Sequence, residues 1–212
     1  MEYIPMFTPS RQFLVISAAL LSACATLNAP PASSLTMEAL RELPTQHYTL
    51  APEGAVVEFT AKPVGLPNVR GNFEHFGGTV AIVDAGNDRI DIDAAVNLAS
   101  VETGNRGYNH MLMSEAWFDV ERHPEARFQG SLAGFEGEGL GRVEGTITIK
   151  GVTRPAVLEV KLGCDGLNQC PHHEVGFNGQ VTVSRSDFGM TGLRGVVRDE
   201  VQLSFRGVLG TP

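Results

Sequence analysis

Basic residues are in deficit: 16 Lys and Arg stand against 24 Asp and Glu, for a net charge of −8 at pH 7. That balance argues against a nucleic-acid partner and against an anionic membrane surface. The GxSxG, Walker and HExxH signatures are all missing. The apolar run from Phe13 to Leu21 falls short of the about 20 apolar residues that a transmembrane helix needs. Cysteine is scarce, at three, and tryptophan occurs once. What the chain has in quantity is glycine, at 24, and phenylalanine, at 11 against three tyrosines. With 42% apolar residues in 212, this suits one domain of many short strands and turns, with or without a tail.

The short apolar run reads as the core of a secretory signal. "LSAC", Leu21–Cys24, resembles a bacterial lipobox, which makes residues 1–24 a lipoprotein signal peptide and Cys24 the lipidated first residue of the mature chain. The competing site is ordinary cleavage after "ACA", Ala23–Ala25. Ala25 in place of Asp favours the outer membrane, so the expected location is the periplasm, with a lipid anchor in that membrane. Residues 25–46, beginning "ATLNAPPASS", have the composition of a tether. With Cys24 used for lipid, Cys164 and Cys170 remain as an even pair in an oxidising compartment. A disulfide is the first reading of "CDGLNQCPHH"; a zinc site with His172 and His173, or free thiols, are the others.

From His47 onward, apolar and polar residues alternate. Val57, Phe59 and Ala61 share one face of "AVVEFTAK", and Ile90, Ile92 and Ala94 share one face of "RIDIDAAV". Val175, Phe177, Val181 and Val183 do so in "EVGFNGQVTVS", as do Val201, Leu203 and Phe205 in "EVQLSFRGVL". Further strands fit "NFEHFGGTVAIVD", "ARFQGSLAGF", "VEGTITIK" and "AVLEVKL", with "DAGND" and "KGVTRP" as turns between antiparallel neighbours. So many one-faced strands need two packed sheets or one sheet closed on itself. Periodicity alone does not choose between them.

Four blocks then carry a specific resemblance. "VVEFTAKPVGLPNVRGNFEHFGGTV", "FDVERHPEARF", "GTITIKGVTRPAVLEV" and "SRSDFGM" resemble, in order and spacing, the signature blocks of the YceI-like, polyisoprenoid-binding family, over residues 47–210. The resemblance implies an all-β fold, an eight-stranded antiparallel lipocalin-like barrel with a short helical insertion. It further implies an apolar lumen for an isoprenoid lipid, a quinone or a polyprenyl phosphate, with no catalytic machinery and no cofactor. Pro63, where the family often has His, and "GYN" after Arg106, where it has an acidic residue, are departures near the barrel mouth.

The helical insertion is "GNRGYNHMLMSEAWF", with Asn105 as a possible N-cap and Tyr108, Met111 and Leu112 at helical spacing. Across a barrel end it is either a lid whose Met111, Leu112, Trp117 and Phe118 touch ligand, or a plug of plain core. Pro124 then directs the chain into the next strand. On the walls, the expected lumen residues are Val57, Phe59, Ile90, Ile92, Phe177, Val181, Val183, Leu203 and Phe205, joined by Phe128, Ile147 and Ile149. Asp91 and Asp93 read as a solvated outer face, and Ser184–Asp187 as a strand-end turn. The rival functions are an isomerase or cyclase acting on a lipid, and a ligand-free structural lipoprotein. An enzyme would need an inward polar group, and the strand parity supplies none.

Overall fold

A computed structural model describes residues 47–84, 89–135, 140–163 and 175–209. Cys24, the tether, Cys164 and Cys170 lie outside the described residues, as does most of "DAGND".

Among the described residues eleven strands form: β1 (His47–Leu50), β2 (Ala55–Pro63), β3 (Val69–Phe73), β4 (Phe76–Asp84), β5 (Arg89–Asn97), β6 (Val101–Glu102), β7 (Glu125–Phe135), β8 (Leu140–Ile149), β9 (Val152–Gly163), β10 (Val175–Ser184) and β11 (Val197–Leu209). They make one sheet in the order β1-β4-β5-β7-β8-β9-β10-β11-β2-β3-β6. Neighbouring strands pair antiparallel, and an isolated parallel bridge joins Arg194 to Val197. The count corrects the expected eight. "NFEHFGGTVAIVD" is two strands rather than one, broken at Glu74–His75, where Glu74 N–H donates to the Ser100 carbonyl and His75 N–H to Ser100 Oγ. That corner moves the chain from the β2 side of the sheet to the β5 side. The four-residue β1 and two-residue β6 add short strands at the sheet's two ends. These ends do not pair with each other; instead the sheet curls until β1 lies against β11.

Small inner residues permit that curl. Gly130, Gly145 and Ala156 lie side by side on β7, β8 and β9. A Cβ on Gly145 would stand 2.2 Å from the Gln129 carbonyl oxygen and 2.5 Å from Gly130 Cα, so only glycine lets the two strands cross this closely. The β8–β9 turn is tighter than "KGVTRP" suggested. Lys150 (φ 52°) and Gly151 (φ 73°) alone make it, both in the left-handed region, as the two-residue hairpin turn matching strand twist requires.

The outer face is polar. Arg127 Nε donates to Asp93 Oδ1 at 2.8 Å and Gln129 Nε2 to Asp93 Oδ2 at 3.0 Å, while Arg89 pairs with Asp91 at 2.7 Å. Hydrogen bonding from Arg127 holds the Asp93 carboxyl below its ordinary range. Asp91 and Asp93 thus take part in surface ion pairs on the outside of the wall.

Candidate functional site: an apolar lumen closed by a helical floor

The inner faces surround a cavity of about 230 Å³, measured as space for the centre of a water molecule. One water needs about 10–15 Å³ on that measure, so the interior is a lumen and not a filled core. The expected wall residues Val57 and Phe59 (β2), Ile90 and Ile92 (β5), Phe128 (β7), Ile147 and Ile149 (β8), Phe177, Val181 and Val183 (β10), and Leu203 and Phe205 (β11) all line it. Period-two alternation accounts for this, since one side of each pleated strand must face the cavity. Strand parity left out others that line it too, among them Tyr48, Val80, Leu132, Val143, Leu158, Val160 and Leu209. Several of these belong to strands whose parity was legible but never assigned a side.

Three lumen phenylalanines lie along the wall instead of across the bore, each over a glycine. A Cβ on Gly71 would stand 2.5 Å from the Phe59 ring, one on Gly130 2.7 Å from the Phe128 ring, and one on Gly179 2.2 Å from the Phe205 ring. The missing side chain makes a slot for the ring, and the bore stays open.

One end of the lumen is closed by the insertion. Asn105 caps helix α1 (Arg106–Met113), its side chain accepting from Gly107 and Tyr108 N–H. Leu112 and Trp117 are buried, at 7% and 6% exposure, and with Phe118 they line the cavity. Met111 does not line it; its side chain packs into the small core of Phe59, Phe73, Leu98 and Leu112. Tyr108 leaves the expected stripe as well and is exposed. The segment buries its apolar face as the plug reading expected, and Leu112, Trp117 and Phe118 also line the cavity.

Arg185 fastens this floor. It follows β10 in the 3-10 turn Arg185–Phe188, is 2% exposed and borders the cavity. Among the described residues its partners are carbonyls, not carboxylates: Gly192 at 2.6 Å, Val197 at 3.1 Å, Arg198 at 3.3 Å and Met190 at 3.4 Å. Its guanidinium also stands 5.1 Å from the Trp117 ring centre. Lys150 Nζ ties the same parts together, donating to the Glu115 carbonyl at 2.6 Å and to that of Gly189 at 3.3 Å. "SRSDF" is the strand-end turn its sequence suggested, but that reading missed the burial of its arginine.

Fold and site together define an antiparallel, barrel-like architecture with an apolar pocket: one curled sheet, an apolar lumen and a helical floor. The sequence profile of the YceI-like domain matches residues 48–209, and the chain belongs to that family. Its curated relatives include a UPF0312 protein of Pseudomonas savastanoi pv. phaseolicola, 29% identical over 164 residues, which cover 76% of this chain and 85% of that one. Among solved structures it is similar to Burkholderia cenocepacia BcnA, with TM-score 0.63 and 24% identity over 74% of this chain and 96% of that one. It is also similar to a polyisoprenoid binding domain from Saccharophagus degradans implicated in plant cell wall breakdown. There the TM-score is 0.62, at 14% identity over 79% of this chain and 99% of that domain. At such identities these two likenesses concern the fold.

Proposed function

We propose that the chain binds an isoprenoid lipid, of quinone or polyprenyl type, in this lumen and sequesters or carries it without chemical change. The observation that carries the reading is the apolar cavity running behind every long strand. An occupant with many buried methylenes gains about 0.8 kcal/mol for each, so a long isoprenoid tail binds tightly with few polar contacts. The fold shared with a domain described as polyisoprenoid-binding supports the same reading. Three residues with polar side chains, Tyr48, Arg127 and Arg185, are among those lining the cavity. The Arg127 guanidinium is engaged outside with Asp93, and the Arg185 guanidinium with carbonyls. That leaves no pair of inward groups for acid–base chemistry among the described residues, which favours a carrier over an isomerase or cyclase.

The test is detergent-free purification from the source cells, followed by lipid extraction and mass spectrometry. A stoichiometric isoprenoid lipid is expected. Protein that is empty in every preparation would sink the carrier reading and leave a structural lipoprotein. A lipid converted on incubation would make the chain an enzyme.

The proposed setting is the periplasm, with Cys24 diacylated and held in the outer membrane, on the strength of "LSAC" after a short apolar run. Replacing Cys24 with Ser is expected to move the protein from the membrane fraction to the soluble periplasmic fraction. Unchanged membrane association and unchanged migration on a gel would refute the anchor.

A further inference from the structure

We infer that the Tyr48 hydroxyl is the head-group contact of the lumen, donating a hydrogen bond to a carbonyl or hydroxyl oxygen of a neutral, quinone-type isoprenoid. This rests on the lumen being a lipid site, as proposed above, and deepens it by choosing between head groups.

Tyr48 lies on β1 in register with Val80, is 2% exposed and lines the cavity. Its hydroxyl is the buried side-chain polar atom that, among the described residues, finds no hydrogen-bond partner. Native proteins leave few buried polar atoms in that state, because an unsatisfied hydroxyl loses its bond to water and gains nothing. Phenylalanine would fill the same place without the loss. A trapped water does not repair the defect, since it needs two to four polar partners. The core cluster to which Tyr48 belongs, with its cross-strand partner Val80 and with Ile90, Leu132 and Leu209, is apolar. None of the described residues satisfies the hydroxyl, and an acceptor that arrives with the occupant of the cavity would. Burial raises the Tyr48 pKa, so the phenol keeps its proton and stays a donor.

The same wall excludes a phosphate. An ionised head group brought into an apolar lumen with one neutral donor costs far more than one hydrogen bond returns. Arg185 is a buried cation bordering the lumen at the floor end, but four carbonyls already hold its guanidinium. A quinone carbonyl is neutral, accepts one hydrogen bond and carries the apolar tail the rest of the lumen takes.

The experiment compares delipidated wild-type protein with Tyr48→Phe, titrated with a long-chain quinone, with squalene as a head-group-free isoprenoid, and with a polyprenyl phosphate. Trp117, the sole tryptophan, lines the cavity floor and reports occupancy by fluorescence. Wild type is expected to prefer the quinone over the phosphate. Tyr48→Phe is expected to bind the quinone about tenfold more weakly, the size of one net hydrogen bond, and squalene unchanged. The empty variant is expected to melt above the empty wild type, and the bound quinone's carbonyl infrared stretch to be lowered in wild type alone. Equal quinone affinity and an equal carbonyl stretch in the two proteins would overturn the Tyr48 assignment while leaving the lipid reading in place. A tenfold loss shared by squalene would also overturn it, marking a packing effect. If wild type takes neither quinone nor squalene, the lipid reading itself fails.

Discussion

Arg185→Met is expected to lower the free energy of unfolding by about 3–5 kcal/mol, because it strips the donors from several buried carbonyls at once. Methionine matches the length of the arginine stem and can fill its apolar path, so the loss isolates the guanidinium. Each carbonyl left without a partner costs about 1–3 kcal/mol where water does not reach it. Four carbonyls are involved, those of Met190, Gly192, Val197 and Arg198, and some will find water once the loop relaxes. A whole domain is stable by only about 5–15 kcal/mol, so the change removes a large share. Arg185→Lys should rescue little, since one ammonium cannot span carbonyls that a planar fork reaches together. Denaturant unfolding followed by circular dichroism gives the number, and Trp117 gives the place. The indole is 6% exposed and stands 5.1 Å from the guanidinium, so its emission should shift to the red even in variant protein that remains folded. A loss under about 1 kcal/mol, with unchanged emission, would mean that the floor does not depend on Arg185.

Some of this was legible in the sequence and some was not, for physical reasons that differ by residue. A pleated strand puts alternate side chains on one face, so "AVVEFTAK" or "RIDIDAAV" already separates the lumen side from the solvent side. The helix start was legible because Asn105 caps locally, through bonds to residues two and three positions on. The break at Glu74–His75 was not, because Ser100, about 25 residues away, makes it. Nor was Arg185, since arginine in a charged turn is ordinarily at the surface. Its partners lie in the loop that returns to β11 and in the first two residues of that strand, and only the folded chain brings them together. Tyr48 stood outside the parity argument for a similar reason. β1 is four residues long, and its inward side is set by pairing with β4 and by contact with β11. Met111 is a lumen residue in the lid reading of the insertion, on its place in that apolar segment. Spacing finds the buried stripe of α1 but does not say which part of it meets the cavity and which meets the β2–β3 core.

Gly179→Ala is expected to close part of the lumen while leaving the sheet intact. The added methyl would overlap the Phe205 ring, with its nearest ring atoms at 2.2 Å, and would press on the Glu159 carbonyl oxygen at only 3.1 Å. A ring turns about its side-chain bonds far more cheaply than a strand moves, so Phe205 should swing off the wall and into the bore. There it takes the place of roughly one isoprene unit. At about 0.8 kcal/mol for each methylene no longer buried, the loss is up to about 3–4 kcal/mol, or two to three orders of magnitude in affinity. Squalene titration followed by Trp117 emission measures it, and stability should change by only about 1 kcal/mol. Gly145→Ala provides the contrast. Its methyl would meet the Gln129 and Gly130 backbone at 2.2 and 2.5 Å, with no side chain to yield. That variant should lose stability first, through the β7–β8 crossing. The decisive control is the double change Gly179→Ala with Phe205→Ala. If the displaced ring is the obstruction, removing it restores binding to that of Phe205→Ala alone. If the double variant binds as poorly as Gly179→Ala, the wall itself has moved, and the slot that glycine makes for the ring is not what keeps the lumen open.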